Sequence, residues 1–503
     1  MAEVIGDEER GNARSVAVSR AVSATAGAWI ASAVASLVYV AVTSRLFTPS
    51  VIGSYSSAML AEGVVYLALG SGLAVGIQRR EELRAGDEAA YVARASLLGL
   101  LAAAVLLLIA EPWATLWGNP GAAAFVRGWA LVAAVHPLSL VCLGILRRRD
   151  EHGKAASALL VAGVGSSALG LIPFVMTHNA LWLVASNVLV PVILIVCCAV
   201  GGVRVLVLPT LKGGISNGEY VRSSTRLNLT NYVAYNAMAW SVSRFVSSAG
   251  LGVYSRAWLM ADIPAQGLTA AVTSTLFSGW STDPDGGEER RFTDTLIVVP
   301  AITALLLAAI SGMATPLVTV LLGSQWVEAT VLLGVLPILL STLAPQWILV
   351  SRLQAMGRFK ALAASRVVAL AVAAVFLVLV AATQSTVTAA VGAGLVYGAG
   401  HAVDLRTAAA LGLVKTRSVG HAYLQAALAC SGLWALGLLQ ATDAWRPADA
   451  VGYMLLSVLV CVGFAAGLLV LCRGAAGATL EARGVLPEWI PGLFRPSTTR
   501  AAR

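Results

Sequence analysis

The stretch "SRLFTPSVIGSYSSAML", residues 44–60, returns 199 residues later as "SRFVSSAGLGVYSRAWL", residues 243–259. Aligned without a gap, Ser44, Arg45, Gly53, Tyr55, Ser56, Ala58 and Leu60 fall on Ser243, Arg244, Gly252, Tyr254, Ser255, Ala257 and Leu259, seven identities in seventeen positions. A second echo lies at an offset of 204. "EPWATLWGNP" from Glu111 and "TPLVTVLLGS" from Thr315 match at Pro112 and Pro316, and one apolar run later Gly153 matches Gly357. Self-similarity at a fixed offset marks a duplicated structural unit. The reading that follows is of a chain built twice from the same element plan.

The runs between these phrases set the solvent. The 503 residues are 58% hydrophobic and 12% charged, whereas a soluble domain has about 25% charged residues. Mean hydropathy is +0.81. A helix crosses the hydrocarbon core with about 20 apolar residues, and runs of that length recur near 21–44, 55–77, 91–110, 123–146, 156–177, 179–203, 227–250, 257–281, 294–322, 329–351, 361–382, 386–405, 419–440 and 449–472. These predict fourteen spans. Cytoplasmic loops of membrane proteins are enriched in Lys and Arg. With the N-terminus in the cytoplasm, the cytoplasmic tails and loops hold 29 of the 34 basic residues, and the outer segments hold Arg45, Arg127, Arg244, Arg256 and Arg446. An alternation kept over fourteen runs places both termini inside.

The same pattern excludes several classes. The net charge of +9 is scattered in short clusters between apolar runs, not gathered on a folded basic face, so no nucleic-acid partner is expected. The six cysteines, Cys142, Cys197, Cys198, Cys430, Cys461 and Cys472, lie inside apolar runs without metal-ligand spacing, so neither a metal nor a disulfide framework is expected. The first 19 residues are polar and the run after them is long enough to span, which is not the pattern of a cleavable signal. "HGKAAS" from His152 lacks the spaced glycine and the Ser/Thr of a phosphate-binding loop. No cofactor is expected, and no loop has room for a catalytic domain, so the chain is read as a non-enzyme. Polymerases and glycosyltransferases of membranes need a large outer loop, which is missing from the pattern.

An offset of 199 carries the first span onto the seventh, with six spans between the copies. An even number keeps both copies in one orientation, a parallel repeat about an axis along the membrane normal. The expected fold is an all-α polytopic membrane protein with about 14 transmembrane helices, in two parallel-related six-helix lobes plus two extra C-terminal helices. Residues 1–20 form a cytoplasmic tail, 21–203 the N-lobe, 204–226 a cytoplasmic linker, 227–405 the C-lobe, 419–472 the extra pair, and 473–503 a cytoplasmic tail. Two-lobed transporters bind substrate between lobes and alternate access.

Polar residues inside the spans supply the candidate sites. Trp29, Ser32, Ser36, Tyr39 and Thr43 are spaced 3, 4, 3 and 4 and share one helix face. Shifted by 199, the first three land on Asn228, Asn231 and Tyr235, and Asn236 adjoins them. Two readings fit: the wall of a polar cavity, or interhelical hydrogen bonding worth about 1 kcal/mol per contact. Glu62 and Asp262 lie 17 and 18 residues after Arg45 and Arg244, one carboxylate per lobe at nearly the same depth. A charge at mid-span costs about 3 kcal/mol on insertion scales, so both, with Asp404, are candidates for ion coupling; hydrogen-bonded acids near the interface are the alternative. Arg45 and Arg244 emerge at the outer ends of their spans, as phosphate ligands or as interfacial anchors. "HAVDLR", with His401, Asp404 and Arg406, is a proton relay or a local ion pair.

These phrases resemble the polysaccharide flippases of the MOP superfamily, the lipid-linked oligosaccharide exporters (Wzx-like). The opening stretch looks like that family's first loop, "GLAVGIQRR" from Gly72 like its end of the second helix, and "AGLGVYSRAWLMADIPAQGLTAAVTSTLFSGWS" from Ala249 like its eighth helix. "LLGSQWVEATVLLGVLPIL" from Leu321 and "LQAMGRFKAL" from Leu353 are similar to the phrases around the tenth. The resemblance covers roughly residues 20–420. The chain departs from it at Gly70, at the uncharged "YNAMAW" from Tyr235, and at Ser278. The resemblance implies transport of undecaprenyl-pyrophosphate-linked sugar repeat units from the inner to the outer leaflet of a bacterial plasma membrane, with the lipid bilayer as surroundings and a polysaccharide polymerase and glycosyltransferases as pathway partners. A peptidoglycan lipid-precursor flippase and a cation-coupled multidrug exporter are the alternatives on the same fold.

Overall fold

A computed structural model describes residues 27, 31–69, 73, 77, 85–149, 151–177, 179–205, 218–280, 288–447 and 449–482. The predicted tail 1–20, Trp29, the middle of the predicted linker and residues 483–503 lie outside the described residues. Every regular element among the described residues is helical. In chain order these are α1 (Ala31–Leu46), α2 (Pro49–Leu69), α3 (Ala85–Leu116), α4 (Ala122–Arg148), α5 (His152–Thr177), α6 (Ala185–Val200), α7 (Gly218–Ser241), α8 (Ser248–Trp280) and α9 (Glu288–Gly312). They continue with α10 (Ala329–Gln354), α11 (Phe359–Thr383), α12 (Thr386–Ala410), α13 (Thr416–Ala441), α14 (Ala450–Arg473) and the short α15 (Ala475–Ala482).

Over the described residues, each predicted apolar run overlaps one of α1–α14. Eleven of them are long and apolar enough to cross a membrane: α2–α6 and α9–α14. Only helices satisfy their own backbone in hydrocarbon, and that requirement explains the absence of any other regular element among the described residues. Proline is tolerated there: Pro112, Pro137, Pro173, Pro191, Pro300 and Pro337 all sit inside helices. Large apolar side chains such as Leu97, Leu100, Leu107 and Leu108 on α3 and Val451, Met454, Val458 and Val462 on α14 point outward, the exposure expected where the solvent is lipid.

The chain packs as two compact units, Met1–Ser255 with Leu377–Ser385, and Arg256–Phe376 with Thr386–Arg503. In the first, α3 and α4 form a long antiparallel pair, α5 lies along α6, and α2 packs on α4 and α7. One end is fastened by charges: Arg149 bonds both oxygens of Glu88 and the Gly202 carbonyl, and Lys154 reaches Glu151 and the Gly201 carbonyl. These cations sit at the C-terminus of α6, where the helix dipole favours positive charge. The hydrogen bond to Glu88 raises the pKa of Arg149 further.

In the second unit α9 is the central helix. α13 runs along it, and α10, α14 and α15 complete its surroundings. Small residues set the spacing: a Cβ on Gly437 would overlap the Ser311 side chain, and one on Gly467 would lie 2.7 Å from the Ala429 carbonyl oxygen. Ser311 Oγ donates to the Gly334 carbonyl at 2.6 Å. Gln440 of α13 donates to Gly312 O at 2.7 Å and accepts from Thr315 N at 2.8 Å, covering the break at the end of α9. The two extra C-terminal helices are therefore part of this unit's core, not an attachment to its surface.

The repeated phrase folds back on itself. In the first unit α2 and the start of α8 cross with their backbones in contact. A Cβ on Gly53 would overlap the Ser248 carbonyl and lie 3.0 Å from Gly252 N; one on Gly252 would overlap the Pro49 carbonyl and lie 3.1 Å from Gly53 N. Ser56 Oγ donates to Ser255 Oγ at 2.9 Å, and these residues are 199 apart. Pro49 and Ser248, Gly53 and Gly252, and Ser56 and Ser255 are all repeat partners, so each copy meets its own twin across a local two-fold, as in an isologous interface. Glycine alone allows this approach. Gly53→Val or Gly252→Val is expected to destabilise the purified protein by about 1–3 kcal/mol, the range for overpacking, read as a lowered Tm in detergent, while Ser50→Ala on the exposed side of the same turn leaves Tm unchanged.

Candidate functional site

Pro49 opens α2 at the position where a missing N–H costs nothing. Beyond it Gly53, Ser54, Ser56, Ser57, Ala58 and Ala61 are buried, so α2 lies close to its neighbours. That closeness buries Glu62, whose side chain is only 8% exposed. A buried carboxylate must find a partner, and α4 supplies it: His136 Nδ1 lies 2.7 Å from Glu62 Oε1. The imidazole stacks on Tyr66, one turn along α2, with ring centroids 4.5 Å apart and planes 16° apart. From α7, Tyr232 donates its hydroxyl to the Leu60 carbonyl at 3.2 Å, and its ring fills the space beside Gly63. Three helices thus gather an acid, an imidazole and two phenols. His136 is not among the carboxylates that the sequence marks. Its signal was an ionisable residue in the middle of the apolar run "ALVAAVHPLSLV", a functional candidate by default in a span.

The polar stripe of α1 is used within the first unit. Ser32 Oγ would be 2.6 Å from a Cβ on Gly163 of α5. Tyr39 OH donates to Leu183 O at 3.3 Å and accepts from Ser186 Oγ at 2.9 Å, and Asn187 Nδ2 donates to Tyr55 OH at 2.7 Å. Thr43 is buried and bonds back to Tyr39 O. Ser36 is half-buried. On α7, Asn228, Asn231, Tyr235 and Asn236 are half-buried; Asn236 donates to Tyr232 O at 2.9 Å, and Asn231 Oδ1 is buried without a hydrogen bond.

Arg45 and Arg244 are exposed. Arg244 lies within a wide π turn, Val242–Val246, and over Gly118, whose φ of +62° makes the turn between α3 and α4; a Cβ on Gly118 would be 3.1 Å from Arg244 Nη1. Neighbouring side chains stitch the same turn: Ser243 Oγ to Trp117 O at 2.9 Å, Trp240 Nε1 to Leu116 O at 3.2 Å, Trp113 Nε1 to Ser57 O at 3.0 Å and Ser54 Oγ to Asn119 Oδ1 at 2.9 Å.

In the second unit Asp262 accepts from Gln266 Nε2 at 2.5 Å within α8. The indole of Trp258, one turn before, is hydrogen-bonded to it and lies 5.8 Å from the Tyr397 ring on α12. Asp404 is paired across helices. Arg366 Nη2 of α11 donates to Asp404 Oδ2 at 3.1 Å, with side chains 1% and 0% exposed, and Ser365 and Gln346 bond the same carboxylate. Arg406 is exposed, so "HAVDLR" does not make the local ion pair of the second sequence reading. Arg366 falls inside the predicted span 361–382, and its charge is met there by Asp404. His401, buried one turn from Asp404, faces Tyr423 at 5.7 Å. Among the described residues no three His, Cys, Asp or Glu side chains gather as metal ligands.

A buried pair with one member removed leaves an uncompensated charge, at about 3–5 kcal/mol. Arg366→Met or Asp404→Asn alone is expected to lower Tm and membrane yield by that amount, and the double variant to recover most of the loss; thermal unfolding of the four proteins in one detergent measures it.

Comparison with known proteins places these features. The family described as "Polysaccharide biosynthesis protein" matches residues 42–331. The succinoglycan biosynthesis transport protein ExoT of Rhizobium meliloti (strain 1021) is 25% identical over 345 residues, 64% of this chain and 66% of that protein; the match spans just under two thirds of that relative's length. Among solved structures the chain is similar to the lipid II flippase MurJ in an inward closed conformation, with TM-score 0.64, 11% identity, and 89% and 98% of the two chains covered. It is also similar to a MOP superfamily transporter from Pyrococcus furiosus, with TM-score 0.52, 15% identity, and 83% and 96% covered, and to MATE in the straight conformation, with TM-score 0.51, 16% identity and the same coverage. At these identities the structures establish the fold alone, and the match over residues 42–331 establishes that the chain belongs to the polysaccharide biosynthesis protein family.

Proposed function

We propose that this multi-pass membrane protein is a flippase that carries undecaprenyl-pyrophosphate-linked polysaccharide repeat units from the inner to the outer leaflet of a bacterial plasma membrane. The family match over residues 42–331 carries the reading, and a relative described as a succinoglycan transport protein supports it. On this reading transport, not catalysis, is the activity, both termini are cytoplasmic, and the chain works beside a polysaccharide polymerase and glycosyltransferases. The lobes are 21–203 and 227–405, joined through 204–226.

The task has a simple physical shape. A pyrophosphate and its sugars cannot cross hydrocarbon alone, because each unpaired polar group there costs several kcal/mol. A protein path of polar side chains replaces the lost water while the lipid tail stays in the bilayer. The stripes on α1 and α7 and the exposed Arg45 and Arg244 are the groups we assign to that path; guanidinium suits phosphate. The buried carboxylates Glu62, Asp262 and Asp404 are the candidates for ion coupling. Asp404 is the least suited of the three, because Arg366 already neutralises it.

Purified protein reconstituted with labelled undecaprenyl-pyrophosphate-linked oligosaccharide is expected to move the label to a leaflet protected from an added glycosidase, at least about tenfold faster than protein-free vesicles. No protection, with a control flippase working in the same vesicles, overturns the reading. Protection of a peptidoglycan lipid precursor in place of the oligosaccharide overturns the substrate and keeps the transport.

A further inference from the structure

We propose that His136 makes the Glu62 site a proton site and excludes sodium from it. The inference rests on the transport reading for its role, and on the geometry of the first unit for its chemistry. Glu62 Oε1 is held by His136 Nδ1 at 2.7 Å, and the imidazole is 31% exposed while the carboxylate beneath it is 8% exposed. The imidazole is therefore the more open member of the pair, and it occupies one oxygen of the carboxylate.

A hard cation is held by about six oxygens. This cluster offers one carboxylate, with one oxygen already bonded to a nitrogen. Of the two phenols beside it, Tyr232 OH is turned to the Leu60 carbonyl, and Tyr66 presents its ring face to the imidazole. The acid–imidazole pair suits a proton, because ring nitrogen and carboxylate oxygen both take up and release one. With Nδ1–H donated to the carboxylate, one entering proton yields either imidazolium beside carboxylate or neutral imidazole beside carboxylic acid. Its departure restores the pair, and only N–H and O–H bonds are exchanged.

Among the described residues of the first unit, the ion-pair partner of Glu62 is His136, and no Lys or Arg pairs with it. α4 carries its arginines at its ends, Arg127, Arg147 and Arg148; α7 brings Tyr232 and Tyr235, with Arg222 and Arg226 near its start. α1 brings Tyr39, bonded at Leu183 and Ser186, and Arg45 at its end. α3 has its ionisable residues toward its two ends, Asp87, Glu88, Tyr91, Arg94 and Glu111; the α8 segment at the crossing has Tyr254, followed in the chain by the buried Arg256. This contrasts with the second unit, where Arg366 permanently fills the partner position of Asp404.

Two measurements on the full chain test this. In proteoliposomes a pH gradient is expected to drive oligosaccharide flipping by about tenfold per unit for one coupled proton, and an equal sodium gradient is expected to have no effect. His136→Gln, which keeps a donor for Glu62 but cannot titrate, is expected to lose the pH response. Flipping driven by sodium, or a His136→Gln variant with the full pH response, overturns the proposal. The second measurement needs no transport. The infrared carboxyl band that disappears in Glu62→Gln is expected to titrate in the wild type at a midpoint unmoved by sodium; a midpoint that falls as sodium rises overturns the proposal. A wild type that flips without regard to either gradient sinks the proposal and leaves the transport reading standing. A sodium-independent titration in a protein that flips nothing does the reverse.

Discussion

In hydrocarbon a polar group has only the protein to bind, and the arrangement of this chain follows from that scarcity. Backbone groups are satisfied within helices, so every regular element among the described residues is a helix. Side chains that keep a charge or a hydroxyl must meet partners on neighbouring helices, and each such meeting fixes two helices at a defined height and rotation. Glu62 with His136 fixes α2 on α4. Asp404 with Arg366 fixes α12 on α11. Gln440 with Gly312 and Thr315 fixes α13 on the end of α9.

Close approach is the second device, and it depends on the first. Polar contacts of about 3 Å between main chain and side chain require helices nearer than leucine-sized side chains allow. Gly53 and Gly252 at the α2–α8 crossing, and Gly334, Gly437 and Gly467 around α9 and α13, supply that nearness. At the first crossing this condition applies to both copies of the duplicated phrase, because each is the other's partner. A single requirement for small residues is thereby written twice in the sequence, which accounts for the persistence of Gly and Ser at an offset of 199.

The two buried acid pairs show how the same cost is met in different ways. Arginine beside Asp404 is a permanent counter-charge, bonded deep in the second unit and closed to exchange. Histidine beside Glu62 holds the carboxylate without a fixed charge, and its ring is partly exposed. The proton site proposed above needs the second kind of partner. The first kind serves specificity of packing, at a cost that an apolar pair would not incur.

The sequence by itself determined the solvent, the positions of the helices and the duplication. Each is a local property: run length decides what can span, spacing of 3 and 4 decides which residues share a face, and a constant offset needs no partner to be seen. It also marked Glu62, Asp262 and Asp404 as costly, since burial of a charge in a span can be read from the span alone. Tertiary structure alone decided who answers them. Glu62 and His136 are 74 residues apart, and Arg366 and Asp404 are 38 apart, so no helical period links them. It also turned Ser32 and Tyr39 toward α5 and α6, and drew α13 and α14 into the core of the second unit. Period sets the face a residue occupies, but the neighbour that face meets is chosen by packing, and packing depends on every other helix at once.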